Sequence, residues 1–278
     1  MYIQEITSAQ NPKLKEVVQL LEKSKERRAR GLFVVEGVRE VVACLKNGYK
    51  LKSVFFNSSI LSSQQIADIM KDERGSLAET EGVSLFSLSP QAYSKIAYRE
   101  NTEGVVAVIE EKPLALENVA FGKKWKNPLV LVVESVEKPG NLGALLRTAD
   151  ACGVDAVLVC DPMTDLYNPN LIRSSLGGIF TNQVVACSSE DALKWLRKNN
   201  ITIFTAQLQD SEWYYDTDMV QPTAIVMGTE STGLTDFWRN EANAKIKIPM
   251  LGELDSLNVS VSAAVLCYEA VRQRASAL

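Results

Sequence analysis

The chain has 278 residues, 46% hydrophobic and 23% charged, the balance of a soluble globular protein with room for two domains. It contains no histidine, which removes the commonest general base and metal ligand and excludes Ser-His-Asp triads, Cys-His dyads and histidine zinc sites. A net charge of -4 argues against a surface coated for nonspecific nucleic-acid binding, and five scattered cysteines with no Cys-x-x-Cys pair read as buried thiols in a reducing compartment.

Residues 11–30 read as a first helix, with Leu14, Val17, Val18 and Leu21 as its apolar stripe. Cations crowd the other side: Lys13, Lys15, Lys23, Lys25, Arg27, Arg28 and Arg30 against Glu16, Glu22 and Glu26. Taken alone, such a face is a solvated one laced with i,i+4 ion pairs. Gly31 ends the helix. Short apolar runs at 32–35, 51–56, 83–86 and 104–109 read as strands, with helices over 38–47, 60–71 and 91–96. This alternation predicts a small α/β domain over residues 1–110. Residues 111–127 carry no sustained period and read as a linker.

Alternation restarts at 128. Residues 129–133 form a continuous apolar run, the pattern of a strand buried on both faces of a parallel sheet. A helix over 142–152 stops at Gly153. Strands are expected at 156–159, 184–186, 201–206, 224–227 and 246–248, and a helix at 190–198. A last helix is expected to open at Ser256, a plausible cap for its first turn. Residues 128–278 therefore predict a second α/β unit with a mostly parallel sheet. No apolar run is long enough to span a bilayer and no secretory segment opens the chain, so a cytoplasmic protein is expected.

Three loops follow buried strands and carry glycine beside polar groups. The first, Pro139-Gly140-Asn141-Leu142-Gly143, leads into a helix presenting Arg147, whose guanidinium can fork two hydrogen bonds to a phosphate. The second is Met227-Gly228-Thr229-Glu230-Ser231-Thr232-Gly233-Leu234. It is neither Gly-x-Gly-x-x-Gly nor a loop ending in Gly-Lys-Ser/Thr, which counts against a nucleotide-dependent oxidoreductase and against an NTPase. The third runs from Ile248-Pro249-Met250 to Ser256. Loops at the ends of strands in one sheet converge on one crevice.

Together, the segment from Asn141 to Arg147, the Met227-to-Leu234 loop, and Ile248-Pro249-Met250 with Ser256-Leu257-Asn258-Val259-Ser260-Val261 resemble the three signature motifs of the SpoU (TrmH) branch of the SPOUT RNA methyltransferases. They occur in order across the whole second half. Arg173-Ser174-Ser175-Leu176-Gly177-Gly178 resembles a family segment between the first two motifs. Phe33-Val34-Val35-Glu36-Gly37-Val38-Arg39 is similar to part of the family's L30e-like substrate-binding domain. Lys138 departs from the pattern, because family members commonly carry an acidic residue there.

The resemblance implies a SPOUT α/β domain with a deep trefoil knot behind a smaller L30e-like α/β domain. It implies transfer of a methyl group from S-adenosylmethionine to a ribose 2′-hydroxyl in RNA, ribosomal RNA before transfer RNA, by a homodimer that needs no metal. The rival on the same fold is a non-catalytic RNA-binding protein. By motif match, Gly228, Gly233, Ile248, Met250, Leu257, Asn258 and Ser260 would hold the methyl donor. Asn141, Arg147, Glu230 and Asn258 would be catalytic. Lys25, Arg27, Arg28, Arg30, Arg39, Arg147 and Arg173 would face RNA. An arginine is always protonated, so Arg147 is expected to hold phosphate and steady a developing alkoxide, with the proton leaving to water or a phosphate oxygen.

Overall fold

The computed structural model describes residues 2–71, 82–98, 102–122, 124–229 and 231–277. The chain forms two compact units, residues 1–112 with 166–173, and residues 113–165 with 174–278.

In the first unit, β1 (Ile3–Ile6) precedes α1 (Pro12–Glu22), which Asn11 caps by accepting from the Lys13 amide at 2.9 Å. The helix expected over 11–30 is broken. Lys23 is extended, with φ -118° and ψ 109°, and α2 (Ser24–Arg30) begins after it. At the break Arg27 turns inward, 2% exposed, and donates to the carbonyls of Leu20 (2.6 Å) and Leu21 (3.1 Å). It thereby satisfies acceptors that the end of α1 leaves open. Arg27 is thus corrected from an RNA contact to a structural cap, since a buried guanidinium committed to carbonyls is not presented to phosphate.

The unit continues with β2 (Leu32–Glu36), α3 (Val38–Lys46), β3 (Leu51–Asn57), α4 (Ser63–Ile69), β4 (Ser84–Leu88), α5 (Pro90–Ser94) and β5 (Val105–Glu110). A reciprocal capping box between Ser62 and Gln65 starts α4 later than the expected 60. The sheet order is β1-β4-β3-β5-β2, with β5 antiparallel to both its neighbours. Leu14, Val17 and Leu20 of α1 join Val34, Phe55 and Phe86 of the sheet in one core. Residues 166–173 cluster here too. The Tyr167 ring stacks on Phe33 at 4.2 Å, and its hydroxyl accepts from the Lys112 amide at 3.2 Å.

The later part of the chain supplies β6 (Leu129–Glu134), α6 (Pro139–Cys152), β7 (Ala156–Cys160), α7 (Pro169–Ser175, divided between the units), α8 (Gly178–Thr181), β8 (Val184–Cys187) and α9 (Ser189–Lys198). It ends with β9 (Thr202–Ala206), β10 (Glu212–Trp213), β11 (Thr223–Met227), α10 (Asp236–Glu241), β12 (Ala244–Lys247) and α11 (Val259–Ser276). The second unit's sheet has the order β10-β12-β9-β11-β6-β7-β8, and its strand pairs are all parallel. Strands β6, β7 and β11 are buried along their whole length, as continuous apolar runs covered on both faces should be. Strand β12 lies between β9 and β10 although it follows both in the chain.

Most of the stretch expected as a linker is packed cover. Leu114, Leu116, Val119 and Phe121 lie on the core of the second unit, and the buried Trp125 donates from Nε1 to the Cys152 carbonyl at 2.9 Å. It shows no period because it wraps that core without forming an α-helix or a strand.

The amino edge of this sheet is fastened by side chains. Arg274, 4% exposed on α11, donates to the carbonyls of Asn127 (2.5 Å), Pro128 (3.0 Å), Met219 (3.0 Å) and Gln221 (2.9 Å). Asp155 accepts from the amides of Gly122 (3.0 Å) and Leu129 (2.9 Å). Among the described residues, no helix is long and apolar enough to cross a membrane.

Candidate active site

Strands β12, β9, β11 and β6 are parallel neighbours, so their following loops leave the sheet at one edge. Those after β9, β11 and β12 surround a cavity of about 290 Å³, near the small end of the range for small-molecule sites. Of the seven residues expected to hold the methyl donor, Gly228, Gly233, Ile248, Met250 and Leu257 line it; Asn258 and Ser260 do not.

The loop after β11 is a tight hairpin. Thr229 and Gly233 exchange backbone hydrogen bonds of 3.1 and 3.0 Å, and Gly233 takes a left-handed φ of 69°. This folds the backbone directly onto Gly228, where a Cβ would overlap the carbonyl carbon of Gly233. Only glycine fits. Beneath the hairpin, Glu134 at the end of β6 is 4% exposed and accepts from the Thr235 amide (2.9 Å) and hydroxyl (2.7 Å). Glu230, expected to be catalytic, lies outside the described residues.

The third loop departs from expectation at its end. Helix α11 begins at Val259, and Asn258, not Ser256, caps it, accepting from the Ser260 amide (3.0 Å) and hydroxyl (2.6 Å). Asparagine caps as well as serine does, and the chain stays irregular as far as 257 around the cavity. Ser256 lines the cavity, its hydroxyl donating to Asp255 Oδ1 at 3.1 Å.

The first motif comes alongside. Helix α6 starts at Pro139, three residues before the expected 142, because proline suits the first helical position. Asn141 Oδ1 accepts from Asn258 Nδ2 at 3.4 Å, joining the first motif to the third. Asn141 and Lys138 line a second cavity of about 90 Å³, which shares Gly228, Thr229 and Val259 with the larger one. Further along α6, Gly143 admits the 174–175 backbone so closely that a Cβ would overlap Ser174 Oγ. That hydroxyl donates to the Pro139 carbonyl at 3.2 Å, so the Arg173-to-Gly178 segment braces the first turn of α6. Arg147 is exposed and has no hydrogen-bond or ion-pair partner among the described residues.

Of the remaining expected RNA contacts, Lys25, Arg28, Arg30, Arg39 and Arg173 are exposed. Arg30 pairs with Glu26 at 3.1 Å, the ordinary i,i+4 arrangement. No group of three or more cysteines and carboxylates among the described residues is placed to hold a metal.

Gln207, Leu208 and Gln209, just after β9, line the larger cavity and were not singled out from sequence. The strand over 201–206 was legible, and following its carboxyl end would have found them. Arg239 of α10 lines it too, with its Nε buried and without a hydrogen-bond partner among the described residues. Nothing in the sequence marked it.

Residues 128–268 match the SpoU rRNA Methylase family, and residues 11–107 match the MRM3-like substrate binding domain. The chain is 29% identical to the 23S rRNA (guanosine(2553)-2'-O)-methyltransferase RlmP of Bacillus subtilis, over 96% of this chain and 98% of that one. A crystal structure of an RNA 2'-O ribose methyltransferase matches with a TM-score of 0.78 at 35% identity, covering 98% of this chain and 100% of the other. The SpoU methyltransferase AviRb from Streptomyces viridochromogenes, in complex with the cofactor AdoMet, matches with a TM-score of 0.83 at 26% identity, over 96% and 99% of the two chains. The fold is that of the SPOUT methyltransferases.

Proposed function

The chain belongs to the SpoU rRNA methylase family, and from that premise we propose that it methylates a ribose 2′-hydroxyl of ribosomal RNA with S-adenosylmethionine. The observation that carries this reading is the convergence of the second and third motif loops on one cavity, with Asn141 of the first motif on the smaller cavity beside it. The residues fit the methyl donor. Gly228 lets the Gly233 backbone close against it at the cavity wall, and the Nε of Arg239, unpartnered among the described residues, can donate a hydrogen bond to a ligand.

When bound, the donor supplies a methyl group already activated on a sulfonium, so the protein's work is positioning. Holding two reacting atoms in line can lower a barrier by roughly 7–11 kcal/mol in favourable cases. The Asn141–Asn258 contact ties the α6 loop to the loop that walls the cavity, fixing the acceptor side against the donor side. Arg147, exposed and permanently charged, binds the phosphate next to the target ribose and steadies the alkoxide as it forms. Lys25, Arg28, Arg30, Arg39 and Arg173 supply a local positive surface on an otherwise acidic protein.

A trefoil knot in the second unit is part of the proposal. Insertion of β12 between β9 and β10, with Arg274 and Gln273 of α11 bonded to residues 217–221 of the β9–β11 crossover, supports it. So is a cytoplasmic homodimer. Leu251, Leu254 and Leu257, with Val261 and Tyr268 on α11, are all exposed, an apolar surface that a second copy would cover. Light scattering should give twice the chain mass, and Val261→Asp should halve it; a monomeric native protein overturns the dimer.

The test of function is a map of 2′-O-methyl positions in total RNA with and without the gene, paired with calorimetry. Loss of one ribosomal methyl group and binding of S-adenosylmethionine are expected. A methyl group lost from transfer RNA instead would move the substrate, and binding of NAD alone would end the reading.

A further inference from the structure

Arg239 stands apart from the family motifs and from the RNA-facing cations. It sits on α10, which packs against β9 behind the Thr229–Gly233 hairpin, and its side chain reaches the larger cavity. Its Nη2 lies 3.6 Å from where a Cβ of Gly233 would be, an ordinary contact distance that puts the guanidinium beside the hairpin. Among the described residues its ion pair is with Asp236, whose Oδ1 is 3.8 Å from Nη1 and whose side chain is 91% exposed, a pairing worth little. Its Nε is buried and has no acceptor among the described residues.

A buried cationic N–H without a partner is costly, and that cost is recovered when an anionic acceptor arrives. The other cation on the cavity wall, Lys247, has its Nζ 4.7 Å from the centre of the Trp213 ring. On the proposed methyl donor, the only negative charge is the carboxylate of the amino-acid tail. A guanidinium presents Nε and one terminal nitrogen as a fork that matches a carboxylate's two oxygens. We infer that Arg239 holds this carboxylate, making it a methyl-donor-binding residue outside the three motifs. The inference rests on the methyl-donor site proposed above.

Calorimetry with two ligands tests it: S-adenosylmethionine, and 5′-methylthioadenosine, which keeps the nucleoside but lacks the amino-acid tail. For the full-length protein, Arg239→Gln should weaken S-adenosylmethionine by about ten- to a hundredfold, the range for a hydrogen bond to a charged group. Binding of 5′-methylthioadenosine should stay within twofold, which also shows that the variant folds. Arg239→Lys, which keeps charge and loses the fork, should fall between. Equal weakening of both ligands would reduce Arg239 to shaping the cavity, and unchanged binding of both would overturn the inference while leaving the site standing. Weaker RNA binding with unchanged S-adenosylmethionine affinity would assign Arg239 to RNA. Failure of the unmodified protein to bind either ligand would remove the methyl-donor site itself.

Discussion

The two edges of the seven-stranded sheet are built from opposite kinds of contact. At the amino edge, Arg274 meets four carbonyls and Asp155 meets two amides, so strong polar groups end on backbone. At the carboxyl edge the backbone turns back on itself at Gly228 and the Nε of Arg239 is buried without a partner among the described residues, while two turns along α6, which leaves that edge, Arg147 stands exposed and also without one. The same strands serve both ends. What differs is where polar capacity goes: into the fold at one edge, toward ligands at the other.

Substitutions at each edge should therefore fail in different measurements. The largest effect belongs to Arg147→Ala. Single-turnover methyl transfer should slow at least a thousandfold, about 4 kcal/mol, with methyl-donor affinity and melting temperature unchanged. A loss of several degrees in melting would erase the distinction between the edges. Next comes Arg274→Met, which strips four carbonyls of their partner. Urea denaturation should show a loss of about 3 kcal/mol, with methyl-donor affinity nearly constant wherever the variant remains folded. Selective loss of that affinity would mean the amino edge reaches the site.

Gly228→Ala sharpens the contrast from the other side, because here a backbone feature shapes the cavity. Opening the Thr229–Gly233 hairpin should weaken S-adenosylmethionine at least tenfold while costing about 1–2 kcal/mol of stability. The smallest change is Asn258→Asp. Aspartate caps α11 equally well, so stability should hold within about 0.5 kcal/mol, but the amide offered to Asn141 is gone and methyl transfer should slow. If Asn258→Ala and Asn258→Asp lose activity to the same degree and only the alanine variant loses stability, capping and catalysis are separate tasks of one side chain.

Both units were legible where the signal is local and continuous. Strands β6, β7 and β11 read as apolar runs because they are buried on both faces. Five of the seven expected methyl-donor contacts reached the cavity because motif loops at parallel strand ends have little choice of destination. What escaped depends on contacts between distant residues. Arg27 sits in a run of cations and differs from them only in finding the open end of α1. Ser256 and Asn258 are both good caps, and packing around the cavity chose between them. β1 exposes two of its four residues in succession, and β10 spans only two residues, so neither shows a period. Arg239 lies on a six-residue helix whose apolar members are too few to announce it.

The placement of β12 between β9 and β10 has a consequence for how the protein comes into being. Its two neighbours leave the ribosome earlier, yet they cannot close on each other without shutting out the strand that belongs between them. The gap must stay open until β12 and the loop after it are free, since that loop forms the cavity's third wall. Non-local closure of this kind is slow. A nascent chain therefore has no complete cavity until β12 has entered the sheet.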